Sequence, residues 1–462
     1  MNSARSLGTV VICAGVLAGF AALPAAAIAE SDQFASPTGK TTGSCRLVTS
    51  PCSLPHAADQ ASSRDTIILA AGTYNVPAGI APQQNVSIVG APGSRPVINF
   101  GNFTLDQITA AHSYAVAALD VWSSHLRNLK ITGTSSTAPV LNFDDTTVGG
   151  GTTRGFLDGV EVVGGGSFTT AYLMGTVRNS IVRSATSDFT AVGVGNLINS
   201  TVVNSRADGT AFKAATTRAP AAFEQFYRRL WVRNSIVRGG SSGQDLVTAG
   251  PDLSVDWSNF ISSARITRTT EGSAAAVSLG THNSTTAPGF ASSTDLHLTP
   301  ASPLLDAGAK ASTLGLAISL VMPITDLGAS DVFGNTRIRA GAPTSTTALP
   351  DVGAAEYQPA APSITGLSVS PTVLKAGRTA TLRMGLSANA TITVLVQRVQ
   401  GSKATTVKTQ VARSNAGTVS IPVTMTSRYG KLPTGRYRFS LTAVGVDGTS
   451  AKAVYTPAGD LT

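Results

Sequence analysis

The heptapeptide VRNSIVR occurs twice in this chain, at Val177–Arg183 and at Val232–Arg238, and a looser relative, LINSTVV, lies between them at Leu197–Val203. A chain that rewrites the same order of apolar, basic, amide and small residues must bring the copies into equivalent environments. Aligned on the central small or apolar residue, the series is Leu129, Gly159, Ser180, Ser200, Ser235 and Ser258, at intervals of 30, 21, 20, 35 and 23 residues. Units of roughly 20–45 residues are those of stacked solenoids. Within each unit the apolar residues alternate with period two, as in a strand. This sends Val177 and Val182 inward and Arg178, Ile181 and Arg183 outward. β-branched content and glycine-rich joints such as VVGGGS and VRGGSS exclude helical repeats.

The residue before the centre is Asn128, Asp158, Asn179, Asn199 and Asn234, and Trp257 interrupts the series. Amides stacked coil over coil can hydrogen-bond along the stack, so Asn128, Asn179, Asn199 and Asn234 are expected to form a structural ladder. The fold class that follows is all-β: a parallel β-helix, with a small C-terminal β-sandwich after it. A charged content of 13% and abundant small residues suit this turn-rich architecture and disfavour long salt-bridged helices.

The first residues read as an address. Arg5, the apolar run LGTVVICAGVLAGFAAL and the small residues up to Ala29 form a signal peptide over residues 1–29. Cys13 leaves with it. The two remaining cysteines, Cys45 and Cys52, are placed to pair in an oxidising compartment, with a metal pair as the alternative. Ser53 and Pro55 open a short capping helix whose apolar stripe is Leu54, Ala57, Ala58 and Ala61, and DTIILAAGTYNV reads as the first coil. An open stack of strands needs such a cover. No later apolar run is long enough to span a membrane. The 34 Lys and Arg exceed the 25 Asp and Glu, giving +9, but they are dispersed. Dispersed charge excludes a nucleic-acid face and leaves either a soluble basic surface or an attraction to anionic wall polymers.

Two stretches carry a resemblance. RDTIILAAGTY resembles the opening coil of secreted bacterial right-handed β-helix proteins of the pectate-lyase-like superfamily. APGFASSTDLHLTPASPLLDAGA, DVFGNTR and PDVGAAEYQ resemble the closing segment of the β-helix proteins called choice-of-anchor Q. The resemblance covers Cys45 to Gln358 and implies fold and secretion, without one activity. It brings along Asp306, Asp331, Arg337, Asp351 and Glu356, either as turn caps paired with Arg337 at the helix end or as a calcium site. The β-helix domain with its cap therefore spans 30–358. QPAAP supplies a stiff linker at 359–362. Residues 363–457 hold seven candidate strands, and LPTGRYRFSLTAVGVDGTS resembles the last hairpin of immunoglobulin-like modules, with Tyr437 where such folds lock a corner.

Chemistry on a β-helix belongs to its outer face. Asp188 and Asp208 each fall eight residues past their centres and Asp245 ten past its own. Asp188 and Asp208 could be neighbours about 4.8 Å apart, as a catalytic pair, a Ca2+ site, or turn residues serving the backbone. The long interval between Ser200 and Ser235 contains a predicted amphipathic helix with Phe223, Phe226, Tyr227 and Leu230, bordered by Lys213, Arg218, Arg228 and Arg229. It either covers the coil wall or builds one side of a groove. NFDDTT, at Asn142–Thr147, is a second acidic loop. No Lys or Arg recurs in register with the stacked acids, and no nucleophile motif occurs. The expected function is that of a secreted, non-catalytic β-helix protein meeting an extracellular polysaccharide or cell-wall polymer at the cell surface. The alternative is a polysaccharide lyase or glycoside hydrolase using Asp188, Asp208, Lys213, Arg228 and Arg229.

Overall fold

In the computed structural model, the described residues are 32–83, 85–111, 117–122, 124–144, 156–215, 229–269, 275–314, 327–339, 341, 347–358, 361–427, 429–445, 448 and 450–462. The signal peptide, Arg218, Arg228 and the predicted helix residues Phe223, Phe226 and Tyr227, and residues 145–147 of the acidic loop lie outside them. Leu230, expected to end that helix, instead lies in the strand Arg229–Arg233 with its side chain buried in the coil, where the parallel register with Gly195 holds it. The chain divides into two compact units. One comprises Met1–Leu296, Gly308–Arg337 and Val352–Ala355, and the other His297–Ala307, Ile338–Asp351 and Glu356–Thr462.

The first unit is a parallel β-helix of three sheets. Sheet 1 stacks Thr66–Leu69, Ser87–Gly90, the ends of longer strands at 125–127, 156–158, 176–178 and 195–198, then Arg229–Arg233, Asp252–Asp256 and Val277–Leu279. Sheet 2 continues from it through Thr73–Asn75, Val97–Asn102, 130–134, 160–165, Ile181–Ser184, Thr201–Asn204 and Ile236–Arg238. Sheet 3 stacks Leu119–Trp122, Leu141–Asp144, 171–174, 189–193, Thr210–Ala214, Leu246–Thr248 and Ile266–Arg268. The inward residues form columns: Leu126, Leu157, Val177, Leu197, Val232 and Val255 lie over one another and are all at most 3% exposed. Burying each such side chain stabilises the stack by about 1.5–3 kcal/mol relative to exposure.

The repeated phrase is the corner between sheets 1 and 2. Asn128, Asn179, Asn199 and Asn234 all have φ between 44° and 55°, the left-handed region that Asn tolerates and most residues avoid. Gly159 shares this column at φ 68°, and Val160, opposite Leu129, takes the place after it. The series of centres is thus displaced by one residue in that coil, because a glycine can stand in for the asparagine dihedral. Trp257 keeps the column at φ 51° despite its bulk.

Most of the ladder at this corner is built from serine. Each hydroxyl donates to the carbonyl two residues back, as Ser235 Oγ does to Arg233 at 2.8 Å, and accepts the backbone N–H of the coil before. The rungs run from Val160 N to Ser180 Oγ, Ser180 N to Ser200 Oγ, Ser200 N to Ser235 Oγ and Ser235 N to Ser258 Oγ, at 3.1–3.3 Å. Among the asparagines, Asn199 Nδ2 donates to Asn179 Oδ1 at 3.3 Å. Asn179 Nδ2 likewise donates along the stack to Asp158 Oδ1 at 3.0 Å. The amides also turn outward. Asn179 and Asn199 both donate to the Leu327 carbonyl, Asn234 exchanges two bonds with Ala309, and Asn128 donates to Ser94 O.

Leu327 and Ala309 belong to residues 308–314 and 327–337, which lie along this corner. Ile198 packs there with Ala309, Leu314 and Leu327, and Ile181 with Leu296, Val332, Ala354 and Ala355. Ile181 therefore points out of the coil, as expected, yet is 2% exposed. In the same unit Asp331 accepts the N–H groups of Phe333 and Asn335, and the buried Arg337 donates to the Gly353 carbonyl.

At the N-terminal end, Cys45 and Cys52 form a disulfide, and the helix Leu54–Gln60 buries Leu54, Ala57 and Ala58. Ser53 occupies the N-cap with extended backbone but without a side-chain capping bond. A strand before the cap, Gln33–Lys40, pairs in parallel with Thr66–Leu69, so the stack begins one strand earlier than DTIILAAGTYNV.

The second unit contains a β-sandwich of two antiparallel sheets. Ile364–Ser370, Thr379–Leu386 and Gly417–Thr424 form one, and Ala390–Gln400, Lys403–Ser414, Tyr437–Gly445 and Ser450–Tyr455 the other. Leu382, Ile392, Val394, Val423, Phe439 and Leu441 meet between them, all fully buried. Tyr437 Oη donates to Pro433 O at 2.8 Å, locking the chain entering its strand. Within this unit Asp306 accepts from Gly341, Asp351 from Asp306 and Tyr357, and Glu356 from Arg339 and Asp351, all through backbone N–H groups. These carboxylates cap turns.

Candidate functional site

The turns that join sheet 2 to sheet 3 stack as the strands do. Ser184 Oγ accepts from Thr186 and Ser187, Asn204 Oδ1 from Arg206, and Asp245 from Gly239, Ile261 and Ser262. Asp245 is fully buried and sealed by these donors. Burial still pushes its carboxyl above the usual range, against the pull of the three N–H groups and Arg265.

Asp188 and Asp208 stand exposed on consecutive turns of this corner, with 61% and 65% of their side chains accessible. Arg206 lies between them and pairs with both: Nη1 meets Asp188, and Nε reaches Asp208 Oδ1 at 2.6 Å. A basic residue does therefore stand with the stacked acids. It arrives two residues before Asp208 along the same turn, where a comparison of fixed offsets between coils does not find it. The Arg206 hydrogen bond holds the Asp208 carboxyl below the usual range, and Asp208 in turn raises the Arg206 guanidinium. A general acid needs a raised carboxyl and a guanidinium base a lowered one, so the Asp208 shift runs against the acid role and the Arg206 shift against the base role. With the guanidinium between the two carboxylates, the pair does not fit a Ca2+ ion, which needs six to eight oxygen ligands.

Next to this triplet lies a row of rings. Phe168 and Tyr172 meet edge to face at 6.5 Å, and Lys213 places Nζ 5.3 Å above the Phe189 ring. All four side chains are half-buried. Lys213 stands over Val192, and Val192 over Tyr172, in one outward column of sheet 3. Further along that column Asn142 stands over Asp120, to which it donates at 2.7 Å, and the same oxygen accepts Trp122 Nε1 at 2.9 Å. Asn142 and Asp144 belong to a strand and are buried, so this part of the acidic stretch is sheet and not loop. Trp122, 38% exposed, has its indole direction set by Asp120.

Arg229 lies on the next sheet, away from Lys213. It pairs with Asp252 at 3.4 Å and stacks 5.4 Å from the Trp231 ring. The structure thus brings Asp188, Asp208 and Lys213 to one corner and separates Arg229 from them. Arg206, Phe168, Tyr172 and Trp122 were missed by the sequence reasoning. A signal for this column was available, because Tyr172 and Lys213 fall at equal places two strand repeats apart, with Val192 between them.

No protein-family profile matches the chain, and no curated protein matches it. Among solved structures it is similar to the crystal structure of pectate lyase Pel9A, at 12% identity and a TM-score of 0.37, over 75% of this chain and 100% of that one. The fold described above rests on its own strand registers, and no activity is drawn from that likeness.

Proposed function

We propose that this is a secreted, non-catalytic β-helix protein that engages an extracellular polysaccharide or cell-wall polymer, with its sandwich as a spacer or adhesive module. The observation that carries the reading is Arg206 clamped between Asp188 and Asp208, the stacked acids on which a hydrolase or lyase reading depends. What remains at that corner is a binding chemistry: half-exposed rings, a lysine held over one of them and an indole fixed by a carboxylate. Rings stack on the C–H faces of sugars, while amides and charged groups meet their hydroxyls. A disulfide agrees with an oxidising compartment, and among the described residues no helix is long and apolar enough to cross a membrane.

The test is a paired assay on one panel of neutral and uronate-rich polymers. Retention on affinity gels without release of reducing or unsaturated ends is the expected result. Release of such ends, lost in Asp208→Asn, would establish the lyase or hydrolase reading instead.

A further inference from the structure

Sheet 1 carries on its outer side a single register column that the site above does not use. It runs His125, Phe156, Thr176, Asn196, Trp231, Ser254 and Ser278, each residue directly paired with the next. None of these side chains is buried. The rings of His125 and Phe156 stack at 5.4 Å and 18°, and Asn196 Nδ2 donates to Thr176 Oγ1 at 3.2 Å. The Trp231 ring lies between Arg229, at 5.4 Å, and Arg233, at 5.0 Å. The order is two rings, a hydroxyl and an amide, a third ring, then hydroxyls. From His125 to Trp231 there are four coil steps, about 19 Å at strand spacing.

Most of the neighbouring charges are engaged or buried. Asp158 pairs with Arg178 at 2.8 Å and lies 3.9 Å from Arg127, Asp252 pairs with Arg229, and Asp256 lies 3.3 Å from His282. Arg233 donates to Val232 O and to both oxygens of Ser254. Burial, helped by Arg127, pushes the His125 imidazole below its ordinary value, so the ring is neutral at neutral pH. A solvated sheet face gains nothing from three half-exposed aromatic rings among compensated charges.

We propose that this column is a binding track for a neutral linear hexose polymer lying along the coil axis. The proposal rests on the glycan-binding reading above and goes further by naming a second surface and the charge class of its ligand. A hexose in a linear chain advances by about one coil spacing, so successive sugars meet successive rungs. Rings would stack on sugar faces at His125–Phe156 and at Trp231, and Thr176, Asn196 and Ser254 would meet hydroxyls between and beyond them. This favours a neutral chain over a polyuronate, since the cations beside Trp231 are Arg229, paired with Asp252, and Arg233, buried and bonded to neutral oxygens.

The experiment is affinity electrophoresis and calorimetry of the full-length protein with hydroxyethyl cellulose, glucomannan and polygalacturonate, and with neutral oligosaccharides of two to six sugars. Trp231→Ala and Thr176→Glu are each expected to weaken binding of the neutral polymers about tenfold or more. Trp231→Phe should retain most of it, and each variant's thermal midpoint serves as the folding control. Affinity should rise with oligosaccharide length up to about four or five sugars, the span from His125 to Trp231. Neutral polymers bound equally by wild type, Trp231→Ala and Thr176→Glu, with Tyr172→Ala or Lys213→Ala abolishing retention, would overturn the track and leave the glycan reading standing. A wild-type protein retained only by polygalacturonate would also overturn it. No retention by any polymer overturns both.

Discussion

Asn234 does two things at one position. Its backbone sits at φ 48°, and its side chain both donates to and accepts from Ala309, at 2.8 and 2.9 Å. Replacing it separates the two. Asn234→Gly keeps the dihedral and loses the paired bonds, at an expected cost of about 2 kcal/mol. Asn234→Ala loses both and should cost about 1–2 kcal/mol more, read from denaturant midpoints at unchanged slope. Equal losses would show that the left-handed turn does not select the asparagine. The asparagines were legible because a recurring amide before a recurring small residue is uncommon. The serine ladder was not, because serine in an alignment registers only as small. Ser235→Ala leaves Ser200 N–H without its acceptor in a dry corner and should cost about 1–3 kcal/mol. Asp245 adds a pH test. Its carboxyl titrates above the unfolded value, so the native state holds the proton more tightly and loses stability as pH rises through that raised value. The thermal midpoint of the wild type relative to Asp245→Asn should therefore climb as pH falls from 7 toward 4. A difference constant with pH would mean that burial does not govern this carboxylate.

At the level of elements, the seven strands of the sandwich were readable from period-two alternation and turn residues, and Tyr437 from the resemblance of its hairpin to immunoglobulin-like modules. The coils were readable wherever the phrase repeated. Two features escaped for different reasons. Gln33–Lys40 contains Pro37 and Gly39, which argue against a strand when only local propensity is weighed, yet it pairs with the first coil. Ile181 was readable as outward but not as covered, because its partners come from residues more than 100 positions later. The candidate corner was half legible: the acids stood at equal offsets, while Arg206, which decides what they can do, did not. Sheet 2 is fastened by Glu161, which meets Arg95 at 3.3 Å, Lys130 at 3.5 Å and Arg183 at 3.1 Å. These three cations come from separate coils and share one carboxylate that is 9% accessible. Glu161→Gln keeps the shape and removes the charge, leaving three partly buried cations facing each other. A loss of about 2–4 kcal/mol is expected, largely retained at high salt because the group is shielded from solvent. A change below about 0.5 kcal/mol would mark the cluster as an ordinary surface network.

Across the whole molecule, stability in a stacked coil passes from neighbour to neighbour, so the two ends of the stack should differ. The first coil lies beneath the helix Leu54–Gln60, beside the strand Gln33–Lys40 and the disulfide, and Ile67 and Leu69 are fully buried. The disulfide closes a short loop, which stabilises by about 2–3 kcal/mol through the unfolded state. The last coil has no comparable burial: Ile266–Arg268 and Val277–Leu279 contain no buried residue, and Leu279 is 38% exposed. Local opening follows the density of buried contacts. Amide exchange should therefore be fastest in Ile266–Arg268 and Val277–Leu279 and slowest in the strands around Val177, Leu197 and Val232. Reduction of the Cys45–Cys52 bond should speed exchange in Thr66–Leu69 while leaving the last coil unchanged. Uniform protection along the stack would mean that the β-helix opens as one cooperative body, and the rung-by-rung view of its energetics would then be wrong.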